Sequence, residues 1–285
     1  MKYGVTLGAL HPGLHGEAAE LADRLGFESV WMPEHLIFPE DMSGSPHPGD
    51  DAPPVPPTTP VYDAFAWLCW IAGRTERIRL GTHVYLLGLR HPFAAARAVQ
   101  TLDIVSGGRA ELGIGAGWLR EEWVAAGLDP ATRGRRLDEA LAVCKRLWTE
   151  SPVEHRGEFY SFPPVVFEPK PIQKPWPPIC AGGESEAALR RAARQCEGWM
   201  GLGHTLETAP ALIGRLRELR KELELDHEPF TISLGGQVRS PDDVARWEAI
   251  GVDRLMIAPW RRSREALDGL RRFADTFLQS GRPGT

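Results

Sequence analysis

The feature of this chain that most constrains its fold is a repeated alternation of short apolar strands with amphipathic helices. The alternation starts with a predicted strand at 3–8, continues with a helix at 17–25 and reaches a second strand at 29–33. In the helix, alanines and leucines recur at helical spacing. One β-α-β unit in about 30 residues is the repeat of α/β proteins, in which a helix connects two parallel strands.

Six more strands continue the pattern, and a helical segment follows each of them. The predicted strands lie at 78–86, from Ala110, and at 179–183, 198–202, 230–235 and 254–259; the predicted helices lie at 63–73, 92–102, 133–150, 185–194, 209–225, 241–250 and 264–277. No linker divides the chain. Eight strands alternating with helices in 285 residues therefore predict a single (β/α)8 TIM-barrel domain over 1–285, in preference to an open doubly wound sheet.

Two segments interrupt the alternation. Residues 36–60 form a long loop after the second strand, rich in Pro, Gly and Asp, and we expect it to act as a lid or a mobile rim. An insertion at 151–178 precedes the fifth barrel strand and contains a predicted hairpin around H-R-G-E-F-Y. The proline-rich run after this hairpin excludes a helix or a central strand there.

Composition excludes several classes of partner. The net charge is −5 and the pI is about 6.0, which argues against nucleic acid and anionic membranes as partners. No apolar run approaches the length of a membrane span, and the N-terminal residues lack the apolar core of a signal peptide. Four widely spaced cysteines without a C-x-x-C pair are typical of reduced packing residues. We expect a cytoplasmic protein.

The active site of a TIM barrel lies at the C-terminal ends of its strands, so the residues that follow each predicted strand are candidates. These are His11, Glu34, His35, Thr82, His83, Gly115, Ala116, Gly117, Trp118, Gly182, Gly183, Glu184, Gly203, His204 and Trp260. Tryptophans at strand ends, among them Trp31 and Trp199, are either walls of a ligand pocket or core residues. We predict no metal site, and no G-x-S-x-G nucleophile elbow is present.

Glycines dominate the end of the fourth strand. Gly113, Gly115 and Gly117 alternate, so a strand places all three on one face without side chains. Such a face suits a flat ligand or the close approach of another backbone; the alternative is a bulged or tightly packed strand. In the third strand, the run Gly81–Val84 places polar groups in a buried strand, which predicts a bulge or a strained peptide against a ligand.

Two further patterns suggest ligand binding. Cys180–Ser185, C-A-G-G-E-S, opens a helix directly after a strand and is suited to a phosphate, or is a simple helix cap. His35 ends the second strand below the long loop, where it can donate to a ring or transfer a proton; a structural hydrogen bond is the alternative. Together these patterns predict a flat ring cofactor that carries a phosphate.

The chain resembles the bacterial luciferase-like flavin and deazaflavin oxidoreductases over nearly its whole length. The resemblance rests on an ordered set of segments: W-M-P-E-H-L at 31–36, R-I-R-L-G-T-H-V at 77–84, the stretch at 91–118, R-G-E-F-Y, P-K-P-I-Q-K-P and P-I-C-A-G-G-E-S. It is most similar to the branch that depends on the 5-deazaflavin coenzyme F420.

The resemblance assigns roles to the candidates. His35 matches the histidine that faces the reactive ring, and His83-Val84 matches a non-proline cis peptide behind the ring. The other implied roles are the ring floor for Gly115, Ala116 and Gly117, and the phosphate site for Gly182, Gly183 and Glu184, with Gly203 and His204 as second contributors. From their places after predicted strands we further predict cofactor contacts for Glu34 and Thr82 and a substrate pocket formed by His11, Trp118 and Trp260.

Three departures from the family pattern limit the activity. Trp118 stands where sugar-phosphate dehydrogenases of the F420 branch carry a glutamate acid, so activity on a sugar phosphate is not expected. Ala116 replaces an arginine that grips the phosphate in FMN monooxygenases, which argues mildly against FMN. Leu36 follows His35, so the paired histidine of luciferase is absent.

We therefore predict an enzyme that transfers hydride between reduced F420 and a small organic substrate. The alternatives are an FMN-dependent two-component monooxygenase, a flavin-binding protein without turnover and, as an outsider, a phosphosugar isomerase with Glu34 as its base. The resemblance further implies a homodimer that works with a separate cofactor-reducing enzyme.

Overall fold

Eight parallel strands close into a barrel, in the computed structural model that describes residues 1–8, 10–43 and 55–278. The barrel strands are β1 (Lys2–Thr6), β2 (Ser29–Met32), β3 (Arg79–Thr82), β4 (Ala110–Ile114), β7 (Ile179–Gly182), β8 (Gly198–Gly201), β9 (Thr231–Gly235) and β10 (Arg254–Ile257). Two further strands, β5 (Val153–Arg156) and β6 (Ser161–Val165), lie outside the barrel. Around the barrel the order is β1-β2-β3-β4-β7-β8-β9-β10, and β10 pairs with β1. The predicted TIM barrel is confirmed.

The predicted helices are all present, most with ends within one to three residues of the prediction. The helices are α1 (His15–Leu25), α2 (Ala64–Ala72), α3 (Pro92–Val105), α4 (Arg120–Ala125), α5 (Arg133–Thr149), α6 (Glu186–Gln195), α7 (Ala209–Glu222), α8 (Pro241–Ala249) and α9 (Ala266–Phe277), with 3₁₀ turns at Pro12–Leu14, Leu87–Leu89, Pro130–Thr132 and Ser263–Glu265. The starts of α2, α3, α6 and α8 are capped by the side chains of Asp63, His91, Ser185 and Ser240. None of these helices is long and apolar enough to cross a membrane.

The insertion contains the predicted hairpin, since β5 and β6 pair antiparallel outside the barrel. Glu139 on α5 fastens this hairpin to the barrel. Its carboxylate lies 3.0 Å from Nε2 of His155 and accepts the backbone N–H groups of Phe159 and Tyr160. Of the predicted loop at 36–60, residues 44–54 lie outside the part of the chain that the structure describes, so its function as a lid stays a prediction.

The barrel interior holds a small apolar layer. Trp31, Cys180, Met200 and Met256 come from four different strands and pack against one another in a cluster separate from the main core. Most of these strands are not neighbours, so the contacts run across the inside of the barrel. Trp31 is fully buried there, and Trp199 is fully buried in the main core. Of the two alternatives for these tryptophans, the structure therefore supports the core residue in both cases.

A charged layer lies at the N-terminal end of the same interior. Arg254 donates to Glu28 at 2.7 and 2.8 Å and to Glu111 at 3.0 Å. Burial alone would lower the pKa of Arg254, but the two carboxylates outweigh it and hold that pKa above its ordinary value. Arg79 pairs with Glu111 on the other side. The end of the barrel opposite the candidate site is thus closed by paired charges.

The three alternating glycines face protein, not an open surface. A Cβ on Gly113 would lie 2.0 Å from the carbonyl oxygen of Thr82, and a Cβ on Gly115 would lie 2.5 Å from Val84. Gly117 lies beyond the end of β4 with φ +78° and faces Leu86. The close approach of another backbone is therefore observed at Gly113, while Gly115 and Gly117 face side chains. That the end of this strand also forms the floor for a flat ligand stays a prediction.

We expect Gly113→Ala to destabilise the barrel by about 3 kcal/mol, because the backbone of Thr82 cannot move away without breaking strand pairing. The matched control is Gly214→Ala in α7, where a Cβ meets nothing within 4 Å and should stabilise by about 0.5–1 kcal/mol. Urea unfolding followed by circular dichroism compares the two variants. Equal stability of both variants would contradict the close contact at Gly113.

Candidate active site

The C-terminal ends of five adjacent strands supply most of the candidate residues. Going around the barrel, these strands are β2, β3, β4, β7 and β8. Because the strands are parallel and adjacent, the segments that follow them meet at one end of the barrel. Candidates that lie up to 170 positions apart in the sequence, from 34 to 204, therefore come together at this end, which we call the mouth of the barrel.

His35 is held at this mouth by a buried carboxylate. Its Nδ1 lies 2.9 Å from Oε2 of Glu122, whose side chain is fully buried while that of His35 is 17% exposed. The imidazole stacks at a tilt on Phe38, with ring centres 4.5 Å apart, and meets Trp118 edge-on at 5.8 Å. His35 therefore has a fixed ring plane and one open edge.

Glu122 is the residue that sequence reasoning missed. Its second oxygen, Oε1, accepts the backbone N–H of Leu36 at 2.5 Å and that of Ile37 at 3.3 Å. It comes from α4, a six-residue helix with too short a pattern to predict. The sequence signal that could have found it is a glutamate on the segment after β4, which the barrel places beside the segment after β2 at the site end.

The segment after β3 forms the predicted bulge. Gly81 pairs with Glu111 and Tyr85 with Ile114, so three residues on the β3 side oppose two on the β4 side. The Thr82 hydroxyl donates to the Gly113 carbonyl at 2.8 Å and accepts the Gly113 N–H at 3.1 Å, which replaces the missing ladder bonds. This bulge is the reason why the predicted strand 78–86 ends at Thr82.

The peptide bond between His83 and Val84 is cis, as the resemblance implies. The His83 N–H donates to the Met32 carbonyl at 2.8 Å and ties the bulge to β2. Burial lowers the pKa of the His83 ring to about 4, so this imidazole is neutral at pH 7. His83 is therefore a neutral group at the barrel mouth, and it does not have the pKa near 7 that a proton carrier needs.

Val84 links the two halves of the mouth. A Cβ on Gly115 would lie 2.5 Å from Val84 Cγ2, and a Cβ on Gly182 would lie 3.2 Å from its Cγ1. The valine side chain therefore fits between β4 and β7 only because both positions are glycine. Below it lies the apolar layer of Trp31 and Met200. Val84 therefore lies between the apolar layer inside the barrel and the mouth.

The predicted phosphate site joins the segments after β7 and β8. Ser185 caps α6 by accepting the Ala188 N–H, as predicted, and Gly183 adopts φ +107° just before it. His204 lies beside this turn; its Nε2 is buried, lies 3.0 Å from Oε1 of Glu184 and makes no hydrogen bond with a described residue. Gly203, at φ +73°, makes the turn into His204. That these residues grip a phosphate stays a prediction.

Glu34 is occupied by protein groups. Its carboxylate accepts the Leu86 N–H at 2.9 Å and pairs with Arg90. Burial raises the pKa of Glu34, while Arg90 and the Leu86 N–H act in the opposite direction. The carboxylate holds the segment after β3 against that after β2, which argues against an isomerase with Glu34 as its base.

The rim carries the residues predicted for the substrate pocket. Trp118 lies against His35. His11 caps the turn Pro12–Leu14, and its N–H donates to Ser263 after β10. The segments that follow the first and the last barrel strand therefore meet at the rim. Trp260 follows β10 with its Nε1 buried and without a partner among the described residues. Their contact with a substrate stays a prediction.

Known proteins are similar to this chain in sequence and in architecture. Residues 5–276 match the family model of the luciferase-like monooxygenases. An uncharacterized protein of Mycobacterium tuberculosis is 30% identical over 267 residues, 93% of this chain and 94% of that protein. The F420-dependent glucose-6-phosphate dehydrogenase of Kineococcus radiotolerans is 33% identical over 192 residues, 66% of this chain and 52% of that enzyme.

A solved structure shows the same fold. A monooxygenase from Streptomyces bottropensis superimposes with a TM-score of 0.78 at 22% identity, covering 99% of this chain and 100% of that one. The match to the family model spans the barrel from β1 into α9 and includes every segment of the mouth. The chain therefore belongs to the luciferase-like monooxygenase family and is an oxidoreductase of that family.

Proposed function

We propose that the protein binds coenzyme F420 at the barrel mouth and transfers hydride between it and a small organic substrate. The observation that carries this proposal is the arrangement about Val84, with the open edge of His35 in one half of the mouth and the turn at Gly183 and His204 in the other. One half supplies a polar group for chemistry, and the other supplies donors for an anion.

The phosphate half fits a cofactor phosphate. His204 Nε2 is buried and lies 3.0 Å from Oε1 of Glu184, but the two atoms are not aligned for a hydrogen bond, so Nε2 can still donate to an entering anion. The N-terminus of α6 adds backbone N–H groups and a positive dipole end. Glu184 is 44% exposed and can turn to solvent when an anion enters.

A bound deazaflavin supplies a carbon centre that carries hydride, and the chain's own residues do the rest. The Val84 side chain supports the ring from below, because Gly115 and Gly182 leave room for it. His35 orients the reacting groups and holds or moves a proton at Nε2. Trp118 and Phe38 exclude water from the His35 ring.

One relative and one residue support F420 as the cofactor, while another relative is flavin-dependent by its name. The Kineococcus radiotolerans relative is F420-dependent by its name, and Ala116 offers no guanidinium to an FMN phosphate. The second candidate is an FMN-dependent two-component monooxygenase, which the name of the family supports. A non-catalytic flavin-binding protein is disfavoured by the carboxylate that holds His35. The proposal includes a homodimer and a separate enzyme that reduces the cofactor.

The test is to titrate the purified protein with F420 and with FMN in parallel and to follow tryptophan fluorescence. We expect micromolar binding of F420 and little binding of FMN. His204→Ala should weaken binding about tenfold, because a buried donor to the phosphate is lost. The control is His227→Ala. That ring is exposed beside Glu228, in the segment between α7 and β9, which leads into the start of a barrel strand and not out of its C-terminal end.

Each outcome has a consequence. Preferential FMN binding would make the protein a candidate oxygen-using monooxygenase that needs a flavin reductase. Binding of neither cofactor would mean that the mouth is not a flavin site, and the proposal would fail. Bound F420 that exchanges hydride with no acceptor would support the non-catalytic alternative.

A further inference from the structure

The contacts of Glu122 decide which nitrogen of His35 carries the proton. A carboxylate only accepts hydrogen bonds, so the 2.9 Å contact between Oε2 and Nδ1 requires a proton on Nδ1. In the neutral ring Nε2 then has a free lone pair. Among the residues that the structure describes, none forms a hydrogen bond with Nε2, and the ring is partly exposed on that side.

Glu122 itself is fixed from two directions. Leu36 and Ile37, the two residues after His35, both donate their N–H groups to Oε1. One buried carboxylate therefore holds the backbone after His35 with one oxygen and its side chain with the other. The ring is confined between Phe38 and Trp118 as well. A 180° flip of the imidazole would put Cδ2 in the place of Nδ1 and leave a fully buried oxygen unpaired, which is costly.

We propose that Glu122 is a positioning residue that keeps His35 in the Nδ1–H tautomer, so that Nε2 is a proton and hydrogen-bond acceptor toward the ligand. This inference rests on the proposed function only for the identity of the ligand that meets Nε2. The group that meets Nε2 must then carry an O–H or N–H proton. His35 takes that proton in one direction of the reaction and returns it in the other, while Glu122 stabilises the imidazolium.

The test uses Glu122→Gln, which keeps the shape of the side chain. Its amide oxygen still accepts from Leu36 and Ile37, so the amide N–H₂ now faces Nδ1. Nδ1 must then accept, and the proton moves to Nε2. Glu121→Gln is the matched control, because this neighbour lies on the same helix and the hydrogen bond and ion pair of His35 go to Glu122.

The first readout is the ¹⁵N NMR spectrum of the histidine rings in the full chain without cofactor, at pH 8.5, with His35 assigned by its absence in His35→Asn. We expect Nδ1 to be protonated in the wild type and in Glu121→Gln, and unprotonated in Glu122→Gln. An unprotonated Nδ1 in the wild type, or an unchanged ring in Glu122→Gln, overturns the proposal. This readout does not depend on cofactor or activity.

The second readout is turnover with F420. Glu122→Gln should lower kcat roughly 10²-fold or more, with KM and cofactor Kd changed less than about threefold, because only the tautomer differs. Glu122→Asp, which keeps the charge, should recover part of the loss. Wild-type kcat in Glu122→Gln despite a changed tautomer overturns the positioning role. Absence of turnover in the wild type would defeat the proposed function instead, and the NMR result would still decide the tautomer.

Discussion

His35→Ala is expected to lower turnover by ~10² or more while cofactor affinity stays within about tenfold. The reason is the position of the ring. It is fixed by Glu122, Phe38 and Trp118 at the mouth, and it leaves one polar edge to the ligand. The phosphate half of the mouth, at Gly183 and His204, does not contact His35 and should continue to bind the cofactor. Steady-state kinetics and fluorescence titration measure the two quantities separately.

The matched control is His155→Ala. His155 forms a very similar pair, with Nε2 3.0 Å from Oε1 of Glu139, but it lies on the hairpin outside the barrel. Its loss should loosen the hairpin and leave kcat unchanged. If His35→Ala turned over as fast as the wild type, His35 would have no part in the reaction. If both variants lost activity equally, the effect would reflect folding.

Arg254→Met should destabilise the fold by about 3–5 kcal/mol, since it removes the shared partner of the buried carboxylate of Glu111 and the partly buried carboxylate of Glu28. Both carboxylates reach Arg254, and Arg254 holds the pKa of Glu28 below its ordinary value against the effect of burial. Without the guanidinium, Glu28 loses its main partner, and among the described residues Arg79 remains as the ion-pair partner of Glu111. The free energy of unfolding in urea at pH 7 measures the loss.

Arg215→Met is the control for a change of charge. Arg215 also has several carboxylate partners, among them Glu186, Glu218 and Glu222, but this cluster lies on the surface of α6 and α7. Water screens such pairs, so we expect little change in stability. A similar loss in both variants would mean that net charge, not burial, determines the effect at Arg254. The stability deficit of the Arg254 variant should also shrink as pH falls, because the wild type then loses the contribution of Glu28, whose pKa Arg254 holds below its ordinary value.

The alternation of strands and helices was sufficient to predict the fold, because each strand needs a helix to cover its outer face and the eighth strand closes the barrel. The strand-exit rule likewise placed His35, Gly183 and His204 at one end. Contacts between distant segments were not predictable from periodicity. Glu122 meets His35 across 87 positions, and Glu34 meets Arg90 across 56. In both cases the sequence shows a charged residue but not the partner that occupies it.

The glycines at the end of β4 show what a sequence pattern leaves open. Their alternation correctly indicated a face without side chains, but it did not decide between a ligand and another part of the chain as the neighbour of that face. At Gly113 the neighbour is the bulge at Thr82, which depends on a one-residue offset between two strands far apart in sequence. Trp31 was left open in the same way: at a strand end it is either a pocket wall or a core residue, and glycines at positions 4 and 81 make room for it inside the barrel.

The fit of Val84 between Gly115 and Gly182 has an evolutionary consequence. The three residues divide one fixed volume, so they cannot diversify independently. A Cβ at 115 would meet Cγ2 of Val84 at 2.5 Å and one at 182 would meet its Cγ1 at 3.2 Å, so a side chain at 115 favours a smaller residue at 84. We expect natural drift to change these positions together. Laboratory libraries aimed at new substrates should therefore vary the three codons jointly.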